Sequence, residues 1–165
     1  MKLPFRIEKR DSFRVVGYCI QTTNKGKEGT KAVPAQWKDF QEKGQQAALM
    51  PLMNQEPYGL FGISVYNTDP VDSRKFNHYI AVASDQEVEG LDAYTVPAAT
   101  WAVFPCTVET IGKTEAMAIT KWLPKSGYKA LNAGYLTGRM KSGAPDIEYY
   151  GEGDSVEVWV AVREK

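Results

Sequence analysis

The sequence lacks an excess of charge of either sign. Its 165 residues include 20 lysines and arginines against 20 aspartates and glutamates, which gives a formal net charge of zero. Proteins that bind nucleic acid without sequence preference use an excess of positive charge to neutralise phosphates, and this chain does not supply it. We therefore expect no direct DNA binding. An acidic tract that could imitate DNA toward a protein partner is missing as well.

Long apolar runs are also missing. No uninterrupted stretch approaches the roughly 20 residues of a membrane span. The amino-terminal segment carries charges where a signal peptide has an apolar core. Hydrophobic residues nevertheless make up 43% of the chain, which is enough for a domain of this length to build its own core. The sequence thus predicts a cytoplasmic domain with no membrane partner.

Residues and motifs of common catalytic and metal sites are scarce. The two cysteines, Cys19 and Cys106, lie far apart in apolar surroundings, fit neither a CxxC pair nor a metal-ligand spacing, and are expected to be reduced core thiols. The single histidine, His78, has no accompanying serine or cysteine motif, which favours a structural role. G-x-S-x-G, P-loop and H-E-x-x-H motifs are absent. We expect no metal and no cofactor.

The same order of secondary structure is predicted in both halves of the chain. β-Branched and aromatic runs indicate strands, and segments of good helix formers that end at proline indicate helices. The first half contains a strand at 13–20, a helix from Val33-Pro34 to Leu49, and strands at 58–66 and 77–84. The second half contains a kinked strand at 92–104, a helix at 114–122, and strands at 147–150 and 156–162.

This doubled order predicts an α+β fold. Two β-α-β-β repeats with pseudo-two-fold symmetry, about 1–88 and 89–165, would make a single domain over 1–165. Packed side by side, they would form one antiparallel sheet with helices on one face and a ligand groove between the repeats.

Side-chain alternation along the last two strands suggests what the groove contains. The valines of strand 156–162 share one face, which we expect to meet the helices, while Glu157 and Trp159 occupy the other. If Ile147 packs with the valines, Glu148 and Tyr150 line a groove on the face opposite the helices. Carboxylates beside aromatic rings suit cationic or flat aromatic ligands. The spacing leaves another interpretation open: Glu157 as a solvated acid and the rings as core residues.

Four segments carry a family resemblance. Val96–Phe104, Asp146–Tyr150 and Glu157–Val162 resemble strands of the gyrase-inhibitor-like domain, also known as the AraC-type effector-binding domain. Trp122-Leu-Pro-Lys-Ser-Gly-Tyr128 resembles the end of that family's second helix. Together with the doubled element order, the resemblance covers nearly the whole chain. It implies a groove that binds hydrophobic, often cationic, small molecules.

The resemblance also implies site residues. The family's central ligand contact is a buried glutamate on the "E-x-Y" strand, which corresponds to Glu148. Trp101 stands where tyrosine is usual, and Ala99 and Ala161 replace a glycine and a proline. None of these differences removes the groove, and we expect Trp101 to change its shape and its ligand preference. The expected ligand-binding residues are Glu148, Tyr150, Tyr66, Trp101, Trp159 and Trp122.

Three functions remain open at this stage. The first is a module that binds drugs or toxins. The second is a hydrolase of cyclopropane-bearing genotoxins, as in some proteins of the family that this chain resembles, with Glu148 as the catalytic residue. The third is a gyrase-inhibitor-like module with a protein partner. Regulators of the family carry a DNA-binding helix-turn-helix before this domain, and no such segment precedes it here, so we do not expect a transcription factor.

Overall fold

The computed structural model describes residues 3–23, 25–66, 71–72, 74–131, 144–151, 153 and 155–165. These residues form nine strands and a small number of helices. The strands are β1 (Arg6–Arg10), β2 (Phe13–Thr23), β3 (Leu60–Tyr66), β4 (Lys75–Ala83), β5 (Asp92–Val96), β6 (Ala99–Cys106), β7 (Tyr128–Ala130), β8 (Asp146–Tyr150) and β9 (Val156–Glu164). The helices are α1 (Gly29–Glu42), α2 (Gln45–Leu49) and α3 (Ile111–Met117), which continues as a π-helical turn (Ala118–Trp122) and a short α4 (Leu123–Lys125).

All of the strands belong to one antiparallel sheet. Its order is β1-β6-β9-β8-β3-β4-β2-β5, and β7 pairs with the end of β9. Two three-stranded units, β2-β4-β3 and β6-β9-β8, meet through β3 and β8 at the centre. The sheet therefore has the doubled, symmetric order that the sequence predicts.

The edge strands connect the two units further. β1, which precedes β2 in the chain, pairs with β6 of the other unit, and β5, which precedes β6, pairs with β2. Each unit thus receives its outer strand from the opposite half of the chain. This exchange covers the edge that each unit would expose alone.

Both principal helices pack on the same face of the sheet. Phe40 of α1 lies in an apolar cluster with Val16 and Ile80, while Ala118, directly after α3, lies in a second cluster with Phe104 and Val158. The valines of β9 pack against α3 and its π-helical continuation, as their alternation predicts. The predicted α+β class, with an antiparallel sheet and helices on one face, is confirmed.

The opposite face of the sheet has its own apolar core. It contains the rings of Phe61, Trp101 and Trp159, and the two tryptophans are 0% and 1% exposed. The ring centroids of Trp101 and Trp159 lie 5.8 Å apart. Both faces of the central strands are consequently buried, which explains why the strands contain so few charged residues.

Element boundaries differ from the sequence prediction at turns. The first helix begins at Gly29, a full turn before Val33, and ends before Gly44, whose φ of 63° is left-handed and separates α1 from α2. The predicted strand at 92–104 is two strands, because β5 and β6 pair in different halves of the sheet. The predicted hairpin turn at 151–155 lies partly outside the described residues.

Both cysteines are free thiols and half-buried. Cys19 contacts the core of the face opposite the helices, and burial raises its pKa to about 11. Within the described part of the chain, no helix has the length and apolar character needed to cross a membrane.

Candidate functional site

A row of side chains crosses the helix face at the middle of the sheet. Register places Val158 of β9 opposite Glu148 of β8, and Glu148 opposite Gly62 of β3. Glu148 therefore shares the helix face with the valines. The prediction that Ile147 packs with the valines is wrong, because Ile147 pairs with Trp159 on the other face. Alternation fixes which residues of one strand share a face, but not how two strands are aligned.

The groove lies on the helix face, between α1 and the segment that leads into α3. It has a volume of about 830 Å³. This is within the range of small-molecule sites, which are mostly apolar with a few polar groups. Its walls come from both halves of the chain and include Val33, Pro34, Trp37, Met50, Leu60, Val108, Ile111, Glu148 and Tyr150. The predicted groove between the repeats is present, but on the face opposite to the one expected.

Trp37 and Tyr150 form an aromatic corner of the groove. Their ring centroids are 5.2 Å apart in an edge-to-face arrangement. The Tyr150 hydroxyl donates a hydrogen bond to Glu148 Oε2 at 3.0 Å. Burial, followed by the charge of Glu148, raises the pKa of Tyr150, so the hydroxyl stays protonated and remains a donor. The carboxylate is thereby held at this aromatic corner of the groove.

A second, smaller cavity adjoins Glu148. Its volume is about 70 Å³, and its walls are almost entirely polar: Gly62, Ser64, Tyr66, His78, Glu115, Asp146 and Glu148. We call this cavity the polar chamber. Glu148 lines both the groove and the polar chamber. Gly62 lies where the two cavities approach each other, because a Cβ there would lie 3.1 Å from Trp37 Cζ2 of the groove and 3.4 Å from His78 Nε2 of the polar chamber.

Glu115 of α3 faces Glu148 in the polar chamber. Both carboxyl groups line this cavity. Burial, together with the charge of Glu148 and then of Asp146, raises the pKa of Glu115 to about 10. At neutral pH Glu115 is consequently protonated. The site thus stores one proton next to its central acid.

His78 of β4 is buried and held by α1. Its Nδ1 lies 2.7 Å from Gln36 Oε1. Burial lowers the pKa of His78 to about 4, which keeps the ring neutral at physiological pH. The contact between Nδ1 and Gln36 agrees with the structural role expected for His78. The same ring also lines the polar chamber.

The other residues expected to bind ligand are spread over three places. Tyr66 lines the polar chamber. Trp101 and Trp159 belong to the core of the opposite face. Trp122, at the end of the helical segment that follows α3, packs against Phe104 with ring centroids 5.1 Å apart. The structure therefore brings Glu148, Tyr150 and Tyr66 together and places the three tryptophans elsewhere.

Glu157 also differs from the expectation of a solvated acid. It accepts a hydrogen bond from Trp159 Nε1 at 3.0 Å and pairs with Arg6 at 2.7 Å. The Arg10 guanidinium lies 4.8 Å from the Trp159 ring centroid. These contacts belong to the face without helices, so Glu157 is separated from the groove by the sheet.

Sequence reasoning missed Trp37, Glu115 and the contribution of His78. Trp37 and Phe40 are three residues apart on the inward side of a predicted helix, which was a signal for a shared buried face. Glu115 lies in a helix whose partner strand could not be aligned from one sequence. No group of three or more His, Cys, Asp or Glu side chains in the described ranges is arranged to hold a metal ion.

Comparison with known proteins gives one family match. The family described as Cass2, integron-associated effector binding protein, matches residues 6–162. None of the curated proteins matches the chain. The family match therefore spans both halves of the sheet and both walls of the groove.

Several solved structures share the fold. The structure described as SAV2435 bound to tetraphenylphosphonium has a TM-score of 0.77 and 19% identity, covering 98% of this chain and 94% of that one. A putative bacterial transcription regulation protein from Staphylococcus aureus MU50 has a TM-score of 0.74 and 20% identity, covering 98% and 99%. An integron cassette protein of Vibrio cholerae has a TM-score of 0.62 and 17% identity, covering 96% and 95%. The likeness extends over whole chains.

Proposed function

The chain belongs to the family of integron-associated effector-binding proteins, which are gyrase-inhibitor-like domains, and from this premise we propose that its groove binds a lipophilic cation or a flat aromatic molecule. The observation that carries the proposal is Glu148 at the floor of an apolar groove, next to Trp37 and Tyr150. One related fold is described with bound tetraphenylphosphonium, a cation of this class.

The chemistry of the groove suits such a ligand. A cation gains attraction from ring faces and from a carboxylate that is already partly removed from water. In the empty groove, the Tyr150 hydroxyl donates a hydrogen bond to Glu148 and stabilises its negative charge. The apolar walls add affinity in proportion to the ligand surface that they bury. We therefore expect micromolar binding, which corresponds to about −8 kcal/mol.

Titration calorimetry with tetraphenylphosphonium tests the proposal. We expect Glu148→Gln to weaken binding by about 1–3 kcal/mol, because it removes the charge and keeps the shape. Glu157→Gln is the matched control on the opposite face of the sheet, and its affinity should equal that of the wild type. Wild-type affinity in Glu148→Gln, or an equal loss in both variants, would show that the groove is not the binding site.

A hydrolase is the second candidate, and the raised pKa of Glu115 beside Glu148 in one cavity favours it. A protonated acid beside a second carboxyl group offers a proton donor and a candidate general base within the same cavity. Incubation with a cyclopropane-bearing genotoxin, followed by mass spectrometry, should then show addition of water. Glu148→Gln should abolish this product while substrate still binds. Intact substrate after prolonged incubation with the wild-type protein would exclude this candidate for the compound tested.

A further inference from the structure

We infer that the natural ligand is an amine whose N–H-bearing cationic head enters the polar chamber while its apolar body occupies the groove. This inference rests on the proposed function, since it names the class of ligand for the same site. It differs in requiring hydrogen-bond donors on the ligand, which a tetraphenylphosphonium ion does not have.

The inference depends first on the tautomer of His78, that is, on which ring nitrogen carries the hydrogen. Gln36 Nε2 donates to the main-chain oxygens of Tyr18 at 3.0 Å and His78 at 3.3 Å. These two bonds turn Gln36 Oε1 toward His78 Nδ1, 2.7 Å away. A carbonyl oxygen only accepts, so Nδ1 carries the ring hydrogen and donates it. Nε2 is consequently the nitrogen with the free lone pair.

That lone pair is on the side of the polar chamber. His78 is 3% exposed, and its Nε2 would lie 3.4 Å from a Cβ placed on Gly62, which also lines the chamber. Among the residues that the structure describes, none donates a hydrogen bond to Nε2. A donor that enters the chamber can therefore pair with this lone pair.

The second argument is the acidic lining of the chamber. The carboxyl groups of Glu115, Asp146 and Glu148 line it. The Tyr150 hydroxyl already donates its hydrogen to Glu148. The described walls therefore present negative charge and oxygen acceptors to the chamber, which a cationic donor matches.

An ammonium group meets these requirements together. It has a positive charge for Glu148 and N–H groups for His78 Nε2 and the carboxylate oxygens. A carboxylate has about four lone-pair positions, so Glu148 can accept further bonds beside the one from Tyr150. A quaternary ammonium has the charge but no hydrogen-bond donor for His78 Nε2.

A pair of fluorescent probes tests the inference without any mutation. 1-Pyrenylmethylamine and (1-pyrenylmethyl)trimethylammonium have the same flat aromatic body and the same charge at pH 7. We expect the amine to bind the wild-type protein at least tenfold more tightly in a fluorescence titration. Equal Kd values would overturn the inference and leave the proposed function standing, whereas no binding of either probe would overturn both.

Two variants locate the effect in the chamber. His78→Phe keeps a ring and removes the acceptor, so it should reduce the ratio of the two Kd values at least fivefold. Gly62→Ala places a methyl 3.1 Å from Trp37, 3.4 Å from His78 Nε2 and 3.5 Å from Glu148 Oε2 and should reduce the same ratio, which also serves if His78→Phe does not fold by circular dichroism. An unaltered ratio in a folded variant would show that the amine head stays outside the chamber.

Discussion

At the scale of single residues, the site depends on one central acid, Glu148, with protonated neighbours. Glu148 accepts a hydrogen bond from the Tyr150 hydroxyl, and Glu115 lines the same small cavity. Asp146 and Tyr66 lie on the same side, and neutral His78 completes the wall. Because the protein holds Glu115 in its neutral form, the two glutamates do not repel each other in the empty site.

The raised pKa of Glu115 predicts a loss of stability in base. The pKa rises from its ordinary 4.5 to about 10 on folding, so the folded state holds a proton that the unfolded chain has released above pH 4.5. The stabilisation is complete below pH 4.5 and is lost progressively as the pH rises toward 10. We expect the wild-type Tm to fall between pH 6 and pH 9 by several degrees more than the Tm of Glu115→Gln.

Calorimetric scans of both proteins at the two pH values check this prediction. Since other groups that titrate between pH 6 and pH 9 are common to both proteins, the difference between the two shifts isolates Glu115. Equal Tm shifts in wild type and variant would mean that Glu115 is ionised at neutral pH.

At this scale, the sequence identified the central acid but not its surroundings. The family motif identified Glu148, but the assignment of strand faces put it on the wrong side of the sheet. That assignment placed Ile147 on the face of the β9 valines, whereas Glu148 pairs with Val158 on that face. Trp159 was assigned to the groove by the same argument, and Trp101 through the family resemblance. Strand alternation repeats every two residues, so an error of one position in register moves a whole strand to the other face.

At the scale of elements, the groove is a gap between two helices over a sheet. α1 contributes Trp37, the segment before α3 contributes Val108, and β8 of the underlying sheet contributes Glu148. Strand and helix order could be read from sequence because the apolar patterns are strong. The division of 92–104 into β5 and β6 could not, because it depends on pairing with strands distant in the chain.

Trp37 and Trp122 distinguish the observed groove from the site predicted by sequence, because the groove contains Trp37 and the predicted site contained Trp122. Trp37→Leu should weaken tetraphenylphosphonium binding by about 1–2 kcal/mol, the scale of a desolvated cation–π contact. Trp122→Leu should leave the Kd within twofold and lower the Tm, since Trp122 packs against Phe104 and Tyr128 in the core. Calorimetric titration and thermal denaturation of both variants measure the two effects. If Trp122→Leu weakened binding and Trp37→Leu did not, the ligand would lie near Trp122, at the end of the helical segment that follows α3.

At the scale of the whole molecule, the two halves are joined through the site itself. The central β3–β8 pairing carries Gly62 and Glu148 directly opposite each other, and the exchanged edge strands β1 and β5 connect the units at both outer edges. The predicted repeats at about 1–88 and 89–165 thus share one sheet. A ligand between α1 and α3 contacts both repeats and should stabilise the domain as a unit. A protein partner, the remaining alternative from the sequence, stays a prediction.

The central claim is that the ligand lies on the helix face against Glu148, and a crystal structure of the tetraphenylphosphonium complex tests it most directly. The account predicts the cation between α1 and the segment leading into α3, with a phenyl ring on Trp37 and the phosphorus within about 6 Å of the Glu148 carboxylate. A cation bound instead on the face of Trp101 and Trp159, or at a surface away from Glu148, would contradict it.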